Sequence, residues 1–375
     1  MIKFLHTADW QLGMTRYFFS EGAQERYNQA RFDAIRTMGR LAKEEGCLFM
    51  LVCGDAFESN QVDRKTVVRT LEALKDVPVP VFMLPANHDP LNAASVYRSS
   101  AFERKPDNVR VIDTVYPIKI NDDWEIVGAP WMSKKPAVNP VEEVLGALEP
   151  IDGITRICVA HGVVDYFTPD RDAPAVIAVE LLEQAIKDCK VDFIALGDRH
   201  SLTRVGGTDR IWYSGTPEAT DFAEAQSGFA NIVEIGDGTV SAKPVKVGKW
   251  QFIDKGRFDL NTPEDVQSLR KFFDDVVNKE CTVVRVNCVG TMSLSLREEL
   301  QEDIDTAKDV FAACDVCEDD LVLLPDGADF EGLGFSGFAK ASVERLRARV
   351  ARGGQEGATA CDALMLLMRL ARGSI

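Results

Sequence analysis

The chain has 375 residues, enough for two domains and a small third module. Hydrophobic residues make up 46% and charged residues 27%, an ordinary globular balance, and no apolar run is long enough to cross a bilayer. The net charge of −16 argues against tight, unaided binding to nucleic acid, although carboxylates gathered at a metal site become positive territory once divalent ions bind. Nine cysteines, dispersed and mostly inside apolar runs, predict reduced thiols in a reducing compartment; with no signal peptide visible, the expected location is cytoplasmic.

In chain order, residues 2–6 predict a strand leading to Asp9 and Gln11. A loop over 12–21 then carries Arg16, Tyr17, Phe18 and Phe19. Ala30, Ala34, Met38 and Leu41 recur at helical spacing within 24–45, and Gly46 ends that helix. The apolar run 47–53 predicts a buried strand, broken by Gly54 with Asp55 directly after it. A second helix is expected over 64–75 and a third strand over 79–84, followed by Asn87, His88 and Asp89. This β-α-β-α-β opening predicts a largely parallel sheet with helices outside.

Residues 93–102 read as a short helix, and short strands follow at 109–112, 117–120 and 125–129. A helix at 141–148, a strand at 157–160 ending in His161, a helix at 179–188 and a strand at 191–196 come next. The last of these leads to Gly197, Asp198, Arg199 and His200. Residues 211–214 form a strand into a turn, and 229–235 and 240–247 a hairpin around Asp237-Gly238. A core domain is therefore expected over 1–248, a compact α+β module over 249–330 and a helical tail over 331–375. The tail has glycines at 332 and 334, helical pieces at 339–352 and 358–372, and a local excess of four positive charges. Leu364, Met365, Leu366, Leu367 and Met368 are apolar nearly all round that last helix, which is buried at home or docked on a partner.

Five predicted strands thus end in residues able to hold a metal, and the four histidines, His6, His88, His161 and His200, all lie in those blocks. Open α/β sheets place their sites at the carboxyl ends of strands. A two-metal phosphoester hydrolase needs divalent ions about 3.5–4 Å apart, bridged by a carboxylate, together with a proton donor near the leaving oxygen. Asp9, Gln11, Asp55, Asn87, His161, Asp198 and His200 supply oxygen and nitrogen ligands, and His88 is the proton donor or phosphate clamp. His6, inside a strand, is assigned a supporting role.

His6-Thr7-Ala8-Asp9-Trp10-Gln11-Leu12-Gly13, Gly54-Asp55-Ala56-Phe57-Glu58, Asn87-His88-Asp89, Ala160-His161-Gly162 and Gly197-Asp198-Arg199-His200 resemble the phosphoesterase blocks of the calcineurin-like metallophosphoesterases. The run Ser214-Gly215-Thr216-Pro217-Glu218 and the module around 282–300 extend the resemblance, over roughly the first 325 residues, to the SbcD-type DNA repair exonucleases. That resemblance implies a four-layer α/β/β/α sandwich core, a small α+β capping domain and a two-metal phosphodiesterase. It would act as a DNA exonuclease or endonuclease in repair and recombination. It also implies a homodimer through helices near 24–45 and 93–102, and an SbcC-like ATPase partner docked on the tail. Carried over by position, Asp9, Gln11, Asp55 and His200 hold one ion, Asp55, Asn87, His161 and Asp198 the other, and His88 is catalytic.

Three positions depart from the family pattern. Gln11 stands where histidine is usual, Asp198 where the last block usually has its first histidine, and Ala86 where glycine commonly precedes the Asn-His pair. The first two exchange nitrogen for oxygen ligands, so Mn²⁺ is the expected metal, with Mg²⁺ next and Zn²⁺ disfavoured, and the pH optimum is expected to be high. Gln11 either binds metal directly or hydrogen-bonds its water. Arg199 clamps a phosphate, neutralises Asp198 or forms an exposed salt bridge, and Arg16 and Tyr17 with their neighbours stack on bases of a frayed end or pack under the next helix. Cys314 and Cys317, without a second pair, are read as packing residues. Two rival functions remain: a phosphodiesterase of cyclic nucleotides or other small substrates, favoured by the net charge, and a weakly catalytic dimeric scaffold for an ATPase.

Overall fold

The computed structural model describes residues 1–171, 173, 175–236, 238–323, 336–350, 352 and 354–372. It divides into two compact units, Met1–Phe252 and Ile253–Ile375. The boundary falls four residues after the one expected from sequence, and the tail belongs to the same unit as the α+β module. The hairpin turn at Asp237, the glycines at 332 and 334, the expected limit at 330 and the side chains of Met365, Met368, Arg369 and Arg372 lie outside the described residues.

The first unit holds two six-stranded mixed sheets. One is built on β1 (Ile2–Thr7), β2 (Met50–Val52), β3 (Val81–Met83) and β4 (Val109–Val111), all parallel. The antiparallel hairpin β11 (Phe229–Gly236) and β12 (Thr239–Lys246) extends it beside β1. The other centres on β6 (Trp124–Gly128), β7 (Thr155–His161), β8 (Phe193–Gly197) and β10 (Ile211–Tyr213), again parallel. Short antiparallel strands β5 (Ile118–Lys119) and β9 (Thr203–Arg204) edge it.

Alternation along the strands explains the core. Successive side chains point to opposite faces, and here both faces are apolar. From β1 and β2, Leu5, Met50 and Val52 pack with Ile35, Met38, Val67 and Leu71 of helices α1 (Glu21–Glu44) and α2 (Arg64–Lys75). Their neighbours Phe4 and Leu51 turn the other way and join Ile126, Ile157, Val159 and Phe193 of the second sheet. Phe4 stacks on Phe49 at 5.3 Å and meets the Phe193 edge at 5.7 Å. Cys158, Ala160, Ile194 and Leu196 pack with Val144 of α3 (Pro140–Ala147) and Leu182 of α4 (Val179–Lys187). Each fully buried aliphatic or aromatic side chain contributes about 1.5–3 kcal/mol, so the strand cores are rigid mounts for the loops that follow them.

One expected helix is absent. Residues 93–104 instead hold two separate 3-10 turns, Val96–Arg98 and Phe102–Arg104, and the Val96 N–H, a backbone donor, is taken by Asn60 Oδ1. Helix α1 begins at Glu21, three residues before the apolar spacing suggests, since Ser20 caps it by accepting from the Ala23 N–H.

The second unit is a three-stranded sheet of order β13 (Gln251–Asp259), β14 (Thr282–Met292) and β15 (Ala313–Leu323), with α5 (Pro263–Asp275) and α6 (Leu294–Val310). Thr262 and Asp265 form a reciprocal capping box at the start of α5. Two further helices follow, α7 (Phe338–Val350) and α8 (Gly354–Arg372). Leu364 and Val343 are buried against each other and packed by Leu294, Leu346, Val350 and Leu367, whereas Leu366 and Leu370 face outward. One face of the tail is therefore packed at home.

Candidate active site

All five blocks sit at the carboxyl ends of strands. Asp9 follows β1, Asp55 follows β2, Asn87 and His88 follow β3, His161 ends β7, and Asp198 and His200 follow β8. The loops after β1 and β2 stay paired beyond the sheet. The Asp9 N–H donates to the Gly54 carbonyl at 3.1 Å, the Gln11 N–H to the Asp55 carbonyl at 2.9 Å and the Leu12 N–H to the Ala56 carbonyl at 3.0 Å. Across the two sheets, the Asp198 N–H donates to both Asp9 carboxylate oxygens at 3.1 Å.

Backbone strain is concentrated in these loops. Asp9, Gln11, Asp55 and Asp198 all have positive φ, at 53°, 43°, 51° and 101°, and they are four of the six described non-glycine residues that do. Such conformations persist where the surrounding structure enforces them, and they cluster at functional sites. Two glycines make room for the approach. A Cβ on Gly54 would lie 2.2 Å from His161 Nδ1, and one on Gly197 would lie 2.0 Å from the Cys53 carbonyl oxygen. Ala86 keeps a Cβ because its own backbone stays in ordinary space; its N–H donates to Asp89 Oδ1 at 2.9 Å.

The side chains converge. One ligand atom each from Asp9, Asp55 and His161 lies within 4.8 Å of the others, all three residues buried. His161 Nδ1 donates to the Cys53 carbonyl at 2.8 Å, which leaves Nε2 facing Asp55 Oδ2 at 3.3 Å and Asp198 Oδ1 at 3.7 Å. The Asp55 Oδ1 accepts from the His88 N–H at 3.0 Å. His88 Nδ1 meets the Glu58 carbonyl oxygen at 2.8 Å, and its Nε2 stands 4.0 Å from Asp55 Oδ2. Gln11, 4% exposed, places Nε2 3.1 Å from His200 Nε2. On its other edge His200 Nδ1 meets Glu224 Oε1 and Thr220 Oγ1, each at 2.8 Å.

The electrostatics call for cations. Burial pushes the Asp9 carboxyl up to about 7, against the pull of His200 and His161. Burial also raises Asp198, again opposed by His161. Asp55 is driven up by burial, but the charge and hydrogen bond of His161 and the contacts of His88 more than reverse this, so it lies below the ordinary range. His161 is pushed down by burial, yet Asp55, Asp9 and Asp198 together raise it to about 10. His200 is likewise pushed down by burial and raised above its ordinary value by Glu224 and Asp9. Among the described residues, two buried acceptor atoms here, Gln11 Oε1 and Asn87 Oδ1, have no hydrogen-bond partner. Buried polar atoms are normally satisfied, so such a set beside converging carboxylates fits divalent metal.

The remaining sequence candidates are placed as follows. His6 is buried in β1, with Nε2 3.1 Å from the Leu196 carbonyl oxygen, and burial lowers it to about 4. The aromatic loop divides: Phe19 packs on Tyr27 and Trp250 at 5.1 and 5.2 Å, while Tyr17 is 99% exposed. Arg16 donates to the Thr220 carbonyl. Arg199 stacks over the Phe167 ring at 4.0 Å and donates to Thr203 Oγ1 at 2.9 Å. Among the described residues it forms no salt bridge, the exposed one expected from sequence included; Thr203 and the Phe167 ring take the guanidinium instead.

Sequence reasoning passed over several supporting residues. Arg31, buried in α1, donates to the Trp10 carbonyl and to the Tyr27 hydroxyl, the latter at 2.6 Å, and so holds the turn that carries Gln11. Asp89 accepts from the Phe57 N–H and the Tyr97 hydroxyl at 3.0 and 2.7 Å and fixes the loop after β3; burial raises it to about 6. An arginine in the middle of an amphipathic helix on its buried face was the signal available for Arg31. Glu224 and Thr220 had none, since they lie in an irregular loop.

The comparison with protein families agrees with the geometry. The calcineurin-like phosphoesterase family matches residues 2–233. Similar solved structures include the TT1561 protein of Thermus thermophilus, at 10% identity and TM-score 0.43, over 64% of this chain and 98% of that one. A purple acid phosphatase from yellow lupin seeds matches at 10% identity and TM-score 0.38, over 66% of this chain and 51% of that one. A dimetal phosphatase from Danio rerio matches at 10% identity and TM-score 0.40, over 66% and 98%. These structural likenesses are too loose to say what this chain acts on. The family match spans all five blocks, and the chain belongs to the calcineurin-like phosphoesterases, metal-dependent hydrolases of phosphate esters.

Proposed function

We propose that this chain is a two-metal DNA nuclease of the SbcD type, acting in repair and recombination with an SbcC-like ATPase. The observation that carries the catalytic part is the meeting of Asp9, Asp55 and His161 within 4.8 Å, beside the unpartnered Asn87 Oδ1 and Gln11 Oε1. In this reading Asp9, Gln11, Asp55 and His200 would hold one ion, and Asp55, Asn87, His161 and Asp198 the other. Bound divalent ions, Mn²⁺ first and Mg²⁺ second, would polarise the phosphate and acidify the attacking water. The layering of the first unit is read as the α/β/β/α sandwich and the second unit as the capping domain, its tail offering Leu366 and Leu370 to the ATPase.

The protein's own groups then do the following. His88 commits Nδ1–H to the Glu58 carbonyl, so any proton it moves is carried on Nε2, the nitrogen that faces Asp55. From there it protonates the leaving oxygen. Arg199, braced by Phe167 and Thr203 and free of a carboxylate among the described residues, is a phosphate clamp beside His200. The fully exposed Tyr17 ring and Arg16 are the proposed contacts to DNA bases and backbone.

The net charge of −16 favours a second reading, a small-substrate phosphodiesterase. Mn²⁺-dependent degradation of linear DNA by the purified chain, with His88→Ala alongside, separates the two. Degradation lost in the variant supports the nuclease. Turnover of cyclic nucleotides without degradation of DNA, with or without the ATPase, overturns it.

A further inference from the structure

We infer that Glu224 is a positioning residue that locks the His200 ring in one tautomer, with Nδ1 protonated and Nε2 presenting a bare lone pair to the site. The inference rests on the reading of His200 as a metal ligand and extends it to a residue outside the five blocks.

Glu224 is almost wholly buried, its side chain 7% exposed. Thr220 grips it twice: the Thr220 N–H donates to Glu224 Oε2 at 2.9 Å, and the Thr220 hydroxyl donates to Oε1. The carboxylate is an acceptor only, and the one hydrogen of the Thr220 hydroxyl is used on Glu224. His200 Nδ1 stands 2.8 Å from Thr220 Oγ1 and 2.8 Å from Glu224 Oε1. Everything Nδ1 meets is therefore a lone pair, so Nδ1 carries the hydrogen. The opposite edge is consistent with this. His200 Nε2 lies 3.1 Å from the Gln11 amide nitrogen, a donor that needs an acceptor.

The bracing reaches further. The Thr220 carbonyl accepts from Arg16, and the Ala219 carbonyl accepts from the Tyr27 hydroxyl at 2.8 Å, so the loop that holds Glu224 is tied to the start of α1 and the loop before it. A histidine ligand whose far nitrogen is held by a carboxylate is oriented and made more basic, and loss of such a partner costs about 10–100-fold in metal affinity. Without Glu224, Nδ1 would face only a hydroxyl free to rotate and donate. The ring would then be free to place its hydrogen on Nε2, the atom needed in the site.

The test pairs imidazole ¹⁵N NMR of the metal-free full chain, at a pH where the His200 ring is neutral, with Mn²⁺ titration calorimetry. The wild type is expected to show Nδ1–H at His200. Glu224→Ala is expected to show a mixture with Nε2–H and an Mn²⁺ affinity lower by about 10–100-fold. Glu224→Gln, whose amide oxygen still accepts, is expected to restore the tautomer and most of the affinity. Nε2–H at His200 in the wild type overturns the inference, and that spectrum needs no variant to fold. A Glu224→Ala protein that melts earlier but keeps the wild-type tautomer and affinity also overturns it, leaving Glu224 a purely structural loop anchor. His200→Asn is measured alongside. If it leaves Mn²⁺ affinity unchanged, the ligand reading fails, while the tautomer spectra still decide the role of Glu224.

Discussion

Asp55 and His161 stand 3.3 Å apart, Oδ2 to Nε2, although they close strands of two different sheets. The contact is possible only because Gly54 lacks a Cβ, and it gathers the Asp55 carboxylate and a buried imidazole on one point. Asp9 and Asp198 add two more carboxylates to the same neighbourhood. The metal-free fold thus carries crowded negative charge that divalent ions relieve.

Metal should therefore stabilise the fold, and Asp55 should be the residue through which it does so. An ion that binds only the folded chain at a hundred times its Kd adds about 2.7 kcal/mol. Scanning calorimetry with and without Mn²⁺ is expected to show a rise in the melting temperature of the first unit. In Asp55→Asn the rise is expected to vanish, and the metal-free variant is expected to melt below wild type, since the ionised carboxylate that pairs with His161 is gone although the amide oxygen still accepts from the His88 N–H. A wild-type rise in the variant would remove Asp55 from the metal site.

Much of this site was legible because its residues follow directly on apolar strands. Cys47 to Cys53 and Ile157 to Ala160 announce their strands, and Asp55 and His161 come at once after them. What escaped reading was either nonlocal or irregular. Glu224 reaches His200 across 24 residues of loop, and no periodicity marks it. The positive φ of Asp9, Gln11 and Asp55 was hidden because none of them is glycine. Residues 93–102 read as a helix, but the Val96 N–H goes to Asn60 Oδ1 on a distant loop, a partner that local sequence does not reveal. The aromatic loop could not be settled from sequence, since one of its rings, Phe19, packs inward while Tyr17 two residues earlier points out.

Gln11 and Asp198 should set metal choice. Gln11 Oε1 is buried without a partner among the described residues, and Asp198 Oδ1 lies 3.7 Å from His161 Nε2, so both positions put oxygen where the family pattern has nitrogen. Replacing both by histidine is expected to raise Zn²⁺ affinity relative to Mn²⁺ by about tenfold or more, read by competition titration. An unchanged ratio would mean that neither side chain touches an ion.

The thiols should divide sharply in reactivity. Burial pushes Cys158 up to about 12 and Cys47 up to about 11, and the thiolate is the reactive form. Raising the pH from 7 to 9 stays below both values, so both remain almost wholly in the unreactive thiol form over that range. Cys189 and Cys317 are exposed. Iodoacetamide labelling followed by mass spectrometry is expected to modify Cys189 and Cys317 first, and Cys47 and Cys158 only after unfolding. Cys314 and Cys317 lie three apart on β15 and so point to opposite faces, which argues against their sharing a metal or a disulfide. Oxidation with diamide should accordingly leave them unlinked within one chain.

The tail offers a separation of home packing from the proposed partner surface. Leu364 is fully buried against Val343, with Leu294 and Leu346 around it, so Leu364→Ala should cost about 2–3 kcal/mol locally, read as faster amide exchange across α7 and α8. Leu366 and Leu370 are 58% and 57% exposed, and substituting alanine at both should change exchange little, by about 0.5 kcal/mol or less at each site. The same double variant should nonetheless weaken capture of the proposed SbcC-like ATPase, because exposed leucines on a helix otherwise held at home are what a docking partner would cover. Capture at wild-type strength by the double variant, with Leu364→Ala weakened only in proportion to its local unfolding, would move the partner surface off this helix.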